Sequence, residues 1–255
     1  TATQGTKELM SLFDNVSYFD TPKPVKLIYK ILKLVSMSNN NDIILDFFSG
    51  SATTAHAVMQ LNAEDGGKRK FIMVQLPEET DEKSEAFKAG YKNICEIGKE
   101  RIRRAGEKIK EEAGLNGQDL DIGFRGLKLD SSNMKDIYYS ADEYDQGMLE
   151  NMQSNTKEDR TDLDLLFGCL VDWGLELDKP YTTKVINGHK VHIYNDGDLV
   201  ACFEKDLDMK TIDEIAKLQA LRVVFCDNSF VDSATKINVA EHFKMIAPDT
   251  DIKVI

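Results

Sequence analysis

Apolar and polar positions along this chain alternate with two rhythms, one helical and one extended. Val25, Leu27, Ile28, Ile31, Leu32 and Leu34 recur at helical spacing and predict an amphipathic helix over 25–37. Before it, Pro22 and Pro24 bracket Lys23 and pin an extended stretch, with a short helix and a connection expected within 5–19. Asp42 to Phe48 is apolar almost throughout and predicts a buried strand. A helix over 53–62 follows a Gly-Ser loop, and Gly66-Gly67 turns the chain into a second strand, Phe71 to Leu76, closed by Pro77. Residues 82–113 predict a long helical stretch broken near Gly90, and 121–129 alternate well enough for a third strand.

The second half repeats the alternation of elements on a smaller scale. Residues 139–160 are acidic, polar and weakly periodic, and are expected to form a linker. A helix over 161–173 is expected to be capped by Thr161, with Leu163, Leu166, Leu170 and Trp173 on its inner face. Asn187-Gly188 is a strong hairpin signal between strands 182–186 and 189–194. Strand 198–204, helix 210–218, strand 221–226, helix 236–246 and strand 251–255 complete the pattern. The fold class is α/β, divided into a domain at 1–138, a linker at 139–160 and a small acidic α/β domain at 161–255.

Composition narrows the partners. The 255 residues and 42% hydrophobic content suffice for one large or two modest cores. No apolar run approaches the ~18 residues of a membrane span, and the polar start Thr1–Thr6 has no signal-peptide core. Cys95, Cys169, Cys202 and Cys226 are far apart and form no C-x-x-C pair, so zinc is not expected and buried free thiols are. A cytoplasmic location follows from that usage. Residues 1–129 hold 19 acidic and 19 basic residues, whereas 130–255 hold 25 and 13, which accounts for the whole net charge of -12. Surfaces that bind DNA unaided are usually basic, so the second half is a poor candidate for direct DNA contact. The run Lys99, Arg101, Arg103 and Arg104 alternates with glutamates and is expected to form a solvated helix face.

One segment carries chemistry. A strand ending at Asp46 passes through Phe47, Phe48, Ser49, Gly50, Ser51 and Ala52 into a helix that begins with Thr53 and Thr54. Glycine at 50 lets backbone approach a ligand, and the helix start offers free N–H groups to a carboxylate or phosphate. Asp46 lies at the carboxyl end of its strand, where open α/β sheets bind ligands, and its charge suits a cationic group such as an ammonium. An ordinary strand-turn-helix with an N-cap is the competing reading. The segment is neither a dinucleotide fingerprint, because G-x-G-x-x-G is absent, nor a Walker A loop, because no Gly-Lys-Ser/Thr follows.

Thr21-Pro22-Lys23-Pro24-Val25 followed by Asp46-Phe47-Phe48-Ser49-Gly50-Ser51-Ala52-Thr53-Thr54 resembles motif X and then motif I of the β-group of amino-DNA methyltransferases. The stretches 66–78, 123–133, Trp173-Gly174-Leu175 and 223–230 with Lys236-Ile237-Asn238 are, in that order, similar to the modification subunit of type III restriction-modification systems. The resemblance implies part of a Rossmann-like fold for S-adenosylmethionine, followed by the smaller α/β domain. It implies that Asp46, Phe48, Gly50, Ser51 and Thr53 contact the methionine end of that cofactor, with Lys23 and Pro24 lining the same pocket. Where many relatives hold the ribose with an acidic residue at the end of the second strand, this chain has Gln75, with Glu78 close by, so either is a candidate ribose ligand. Ala52 stands where many relatives have glycine, which fits only if its backbone torsion is ordinary.

The resemblance also defines what is missing. The family methylates the exocyclic amine of adenine in duplex DNA after flipping the base out, using an Asp-Pro-Pro-Tyr type motif. The five prolines here are Pro22, Pro24, Pro77, Pro180 and Pro248, and no two are adjacent. No catalytic residue is therefore assigned in this chain. It begins at Thr1 without methionine and is expected to be the C-terminal part of a longer enzyme, inactive alone, with strands of the sheet absent and an unpaired edge left behind. Expected partners of the full-length protein are DNA, a restriction (helicase-nuclease) subunit and a second copy of itself. An assembly module without cofactor binding is the alternative. His56 is expected to pack rather than act as a base, His189 and His192 to lie on opposite faces, and His242 to be half-exposed.

Overall fold

A computed structural model describes residues 2–36, 41–135, 155–230 and 233–255. Its contacts divide the chain into two compact units, Thr1–Gly126 and Leu127–Ile255. The expected linker falls mostly, at 139–154, outside the described residues.

In the first unit, α1 (Ala2–Leu12) and α2 (Val25–Val35) precede β1 (Ile43–Asp46), α3 (Thr53–Asp65) and β2 (Lys70–Met73). The two strands are parallel, with Leu45 opposite Ile72 and Asp46 opposite Met73. Their connection through α3 is the crossover that parallel strands require. α3 is the centre of the unit. Ala57, Val58 and Leu61 pack with Val25 and Leu32 of α2. Ala55 and Met59 pack with Leu9 and Phe13 near α1 and with Ile97, Ile102, Ala105 and Ile109 of α5 (Ile94–Ala113). A helix apolar on most sides is one that is buried, and α3 is rich in alanine where its neighbours approach.

The sheet departs from expectation. The first strand reads as fully buried, yet Ile44 faces the helices together with Phe71 and Met73 of β2, while Ile43, Leu45, Ile72 and Val74 are exposed on the other face. A strand in a parallel sheet is apolar on both faces because helices normally cover both. Here no described element covers the second face, so the composition is that of a central strand in a larger sheet. The expected third strand over 121–129 is also absent. Leu120, Ile122 and Phe124 pack on the α5 core, whereas Leu127 and Leu129 are exposed, and the segment joins no sheet. Alternation alone places side chains, but it does not supply a partner strand. The break near Gly90 is wider than expected: a short α4 (Glu85–Lys88) ends before it, and α5 restarts under an Asn93 cap.

The second unit is a three-layer α/β structure. Its sheet runs β3-β4-β5-β6-β7, comprising Tyr181–Ile186, His189–Tyr194, Leu199–Cys202, Arg222–Phe225 and Asp251–Val254. β3, β4 and β5 are antiparallel, then β5, β6 and β7 are parallel through the crossover helices α7 (Met209–Ala216) and α8 (Ser233–Ile246). Those helices cover one face through Ile212, Ile215, Val239 and Phe243 against Val200, Val223 and Phe225. α6 (Asp162–Asp172) covers the other through Leu165, Leu166, Cys169 and Leu170. Thr161 and Asp164 form a reciprocal capping box at its start. Leu163, expected on the inner face, lies at the solvent boundary, and Leu165 takes the inner place. The predicted hairpin turns at Asn187 and Gly188, both with positive φ, as a type I′ turn requires.

Candidate cofactor site

β1 ends at Asp46, and its carboxylate organises the turn into α3. Oδ1 accepts the Phe48 N–H at 3.1 Å and Oδ2 accepts the Thr54 hydroxyl at 2.6 Å, so one side chain ties the turn to the first turn of the helix. β2 holds the loop from the other side. The Ser49 N–H donates to the Val74 carbonyl at 3.2 Å, and the Gly50 N–H donates to Gln75 Oε1 at 2.7 Å. Gly50 is left-handed at φ 50° and sits against the Phe19 ring.

The ordinary torsion that would suit an alanine at position 52 is not the one adopted. Ala52 has φ 58° and ψ 41°, a left-handed conformation in which a Cβ costs roughly 1–2 kcal/mol. It is the N-cap residue of α3, and no side chain caps that helix start. The first-turn N–H groups of α3 thus meet no capping side chain. Thr53 donates its hydroxyl to the Lys23 carbonyl at 3.2 Å, which joins the segment before α2 to the loop.

The nine expected site residues therefore divide. Hydrogen bonds pair Gly50 with Gln75, Thr53 with the Lys23 carbonyl, and Asp46 with the Phe48 N–H and with Thr54. Ser51, Thr53 and Pro24 are buried. Phe48 is 86% exposed, and the side chains of Lys23 and Glu78 also face solvent. Gln75 spends its acceptor on Gly50 and donates through Nε2 to the Leu76 carbonyl at 3.2 Å.

One participant has no counterpart in the sequence-based reading. Arg101, expected on a solvated face, is fully buried on the inner stripe of α5. Its Nη1 donates to the Ser51 carbonyl at 3.3 Å, the Ser51 hydroxyl at 2.8 Å and the Thr53 hydroxyl at 2.7 Å. Burial pulls the guanidinium down to about 10, which leaves it charged at neutral pH. The signal was its position: Ile97, Gly98, Arg101, Ile102, Ala105 and Ile109 share one helical stripe, and an arginine there points inward. Lys99, Arg103 and Arg104 instead pair with Glu96 and Glu100 on the outer side.

The remaining candidates are structural. His56 is held neutral by burial and by the charges of Arg101 and Lys108, its pKa pushed down to about 3. It lines a cavity of about 690 Å³ with Glu8, Tyr29 and Lys108, which none of loop residues 47–52 lines. His189 faces Glu204, whereas His192 bonds Thr183 at 2.9 Å and Asp162 at 3.4 Å, so the two lie apart. His242 bonds Asp213 at 3.0 Å and is partly exposed. Cys169, Cys202 and Cys226 are buried thiols raised by burial to about 11, 11 and 12, and Cys95 is half-buried. Among the described residues, no group of three or more His, Cys, Asp or Glu is placed to hold a metal ion, and no helix is long and apolar enough to cross a membrane.

Known proteins are similar to this sequence. The DNA methylase family matches residues 3–107. The chain is 48% identical over 123 residues to the type III restriction-modification enzyme StyLTI Mod subunit of Salmonella typhimurium, covering 48% of this chain and 18% of that protein. It is 29% identical over 256 residues to the EcoP15I Mod subunit of Escherichia coli, covering 98% of this chain and 37% of that protein. Over 94 residues it is 38% identical to the type II methyltransferase M.KpnI of Klebsiella pneumoniae, covering 37% of this chain and 22% of that protein. The chain thus spans well under half the length of these relatives.

Proposed function

We propose, from the match of residues 3–107 to the DNA methylase family and the similarity of the whole chain to a type III modification subunit, that the chain is the cofactor-binding portion of a site-specific DNA adenine-N6 methyltransferase that uses S-adenosylmethionine. The observation that carries the reading is the uncapped start of α3, reached through a left-handed Gly50 and Ala52 directly after Asp46. A strained loop at a strand's carboxyl end is where backbone is shaped for a ligand rather than for stability.

The residues fit the cofactor. Each oxygen of the Asp46 carboxylate accepts one bond within the loop, which leaves lone pairs for the ammonium of a methionine moiety. The open N–H groups of α3 suit its carboxylate. With both ends of the Gln75 amide engaged, the exposed Glu78 is the better placed ribose ligand, and a charged acceptor is worth about 1.5–3 kcal/mol against 0.5–1.5 for a neutral one. When bound, the cofactor supplies an electrophilic methyl group. Base selection and the proton on the target amine fall to residues outside this chain, since it has no Asp-Pro-Pro-Tyr type motif.

In the full-length protein the substrate is duplex DNA, and the partners are a restriction subunit and a second copy. The acidic second unit favours an assembly role beside the cofactor role: β3 is an edge strand whose Thr182–Val185 stretch is exposed. Calorimetric titration of S-adenosylmethionine into the chain tests the cofactor reading. Saturable binding supports it, and no binding at millimolar concentration leaves assembly alone. Methyl transfer to duplex DNA by this chain unaided is expected to be undetectable, and a measurable rate overturns that assignment.

A further inference from the structure

The geometry points to Arg101 as a positioning residue for the cofactor loop, holding Ser51 and Thr53 so that the start of α3 discriminates for the amino-acid end of the ligand. This rests on the cofactor reading above.

Among the described residues Arg101 is the largest fully buried side chain. An ionised group of that size is expensive to bury unless paired, and an apolar residue of similar volume is often equally stable or more so. No carboxylate forms an ion pair with it among the described residues, and its Nε and Nη2 have no hydrogen-bond partner there. What it does hold is the loop. Nη1 reaches both flanks of Ala52, taking the Ser51 carbonyl and hydroxyl on one side and the Thr53 hydroxyl on the other. These are the residues on either side of the left-handed step, so the guanidinium fixes the conformation that opens the helix start.

Charge adds to position. A buried cation beneath the N-terminus of α3 reinforces the positive end of the helix dipole, where a ligand carboxylate is favoured. Gly98, one turn earlier on α5, lets the helix come within contact of the loop: a Cβ there would lie 3.3 Å from the Gly50 carbonyl oxygen and 3.6 Å from the Ala52 methyl. Arg101 itself touches no ligand in this reading. It acts through Ser51 and Thr53.

The test compares two ligands, S-adenosylhomocysteine and 5′-methylthioadenosine, which lacks the amino-acid end. Their affinity ratio is measured calorimetrically for the wild-type chain, Arg101→Met, Arg101→Gln and Arg101→Lys. The ratio is expected to fall about tenfold in the neutral variants, as loss of a charge-assisted contact predicts, and less in Arg101→Lys. A purely structural role would weaken both ligands alike and leave the ratio unchanged. Amide hydrogen exchange without ligand supplies a second readout: protection of the hydrogen-bonded Gly50 and Ala52 amides is expected to drop in the neutral variants while α6 in the second unit stays protected. An unchanged ratio in a neutral variant that folds, or unchanged loop protection, overturns the inference with the cofactor reading intact. Failure of the wild-type chain to bind either ligand overturns the cofactor reading itself, and the ligand part of this inference with it.

Discussion

Gln75 Oε1 accepts the Gly50 N–H at 2.7 Å, so one of the two candidate ribose ligands anchors the loop that follows β1. The bond spans the carboxyl ends of the two paired strands and fixes the left-handed glycine. Gln75→Leu removes the acceptor and leaves a half-buried N–H unmet, at about 1–3 kcal/mol. Gln75→Glu keeps the acceptor. Chemical denaturation is expected to show the loss in the first variant and near wild-type stability in the second. Equal stability of Gln75→Leu and wild type would remove Gln75 from the loop's support.

In the reading proposed above, Glu78 carries the ribose role. Its carboxylate is exposed and lies just past Pro77, so its removal costs the fold little. Glu78→Ala is expected to weaken S-adenosylhomocysteine by about tenfold with unchanged melting temperature. If instead Glu78→Ala binds like wild type, the ribose is held by another group.

Gly98 is a third point of control. Adding a methyl at this buried position sets it 3.3 Å from the Gly50 carbonyl oxygen, closer than ordinary contact. Backbone must shift by a few tenths of an ångström, on both α5 and the loop. Gly98→Ala is expected to destabilise by about 1 kcal/mol despite the usual helical gain from alanine, and to weaken cofactor binding. A stabilised variant with normal binding would show that the loop has slack.

How much of this was legible in the sequence depends on whether a feature is local. The Thr161 cap, the Asn187-Gly188 hairpin and the order strand, Asp46, loop, helix are written in neighbouring residues, and each is found in the structure. The alternation at 121–129 was local too, but a strand needs a partner, and none lies beside it. Ile43 and Leu45 advertise burial that only other strands and helices could provide. Arg101 was missed because charge was weighed before helical phase: its stripe position places it inward, fifty residues from its partners. The strain at Ala52 has no sequence signature at all beyond alanine where glycine is common.

His56 gives the protein a pH-dependent stability. Its pKa is lowered from 6.5 to about 3, first by burial and then by Arg101 and Lys108. The folded state thus binds the imidazole proton less readily than the unfolded chain. Stability from this group is complete above pH 6.5 and is lost as pH falls from there toward 3. Its contribution to the slope approaches about 1.4 kcal/mol per pH unit once the unfolded imidazole is fully protonated. Carboxylates held by ion pairs, such as Asp65 with Arg69 and Glu100 with Arg104, titrate below their ordinary values. Between pH 4.5 and 6.5, in round figures about the ordinary histidine value, the slope therefore belongs mainly to histidine. His56→Leu is expected to flatten denaturation midpoints across that window, and an unchanged slope assigns it to another group.

The uncovered face of the β1–β2 sheet predicts how the chain behaves alone. Leu45 lies directly opposite Ile72, both about half exposed, and Val74, Leu76, Phe47 and Phe48 extend the apolar surface around the strand ends. Two parallel strands with one bare face do not make a stable sheet unaided, and a contiguous apolar area of this kind marks an interaction surface. Among the described residues β1 and β2 each also have an unpaired edge, the second route to association. The wild-type chain is expected to self-associate at micromolar concentration and to bind a hydrophobic dye. Leu45→Lys with Ile72→Glu places opposite charges across one rung, where the pair stabilises rather than repels. Sedimentation of the double variant is expected to show a shift toward monomer with the second unit's stability unchanged. Association that persists undiminished would place the contact on an edge of the β1–β2 sheet or on the exposed β3 strand, and substitutions at those sheet edges would then separate the two.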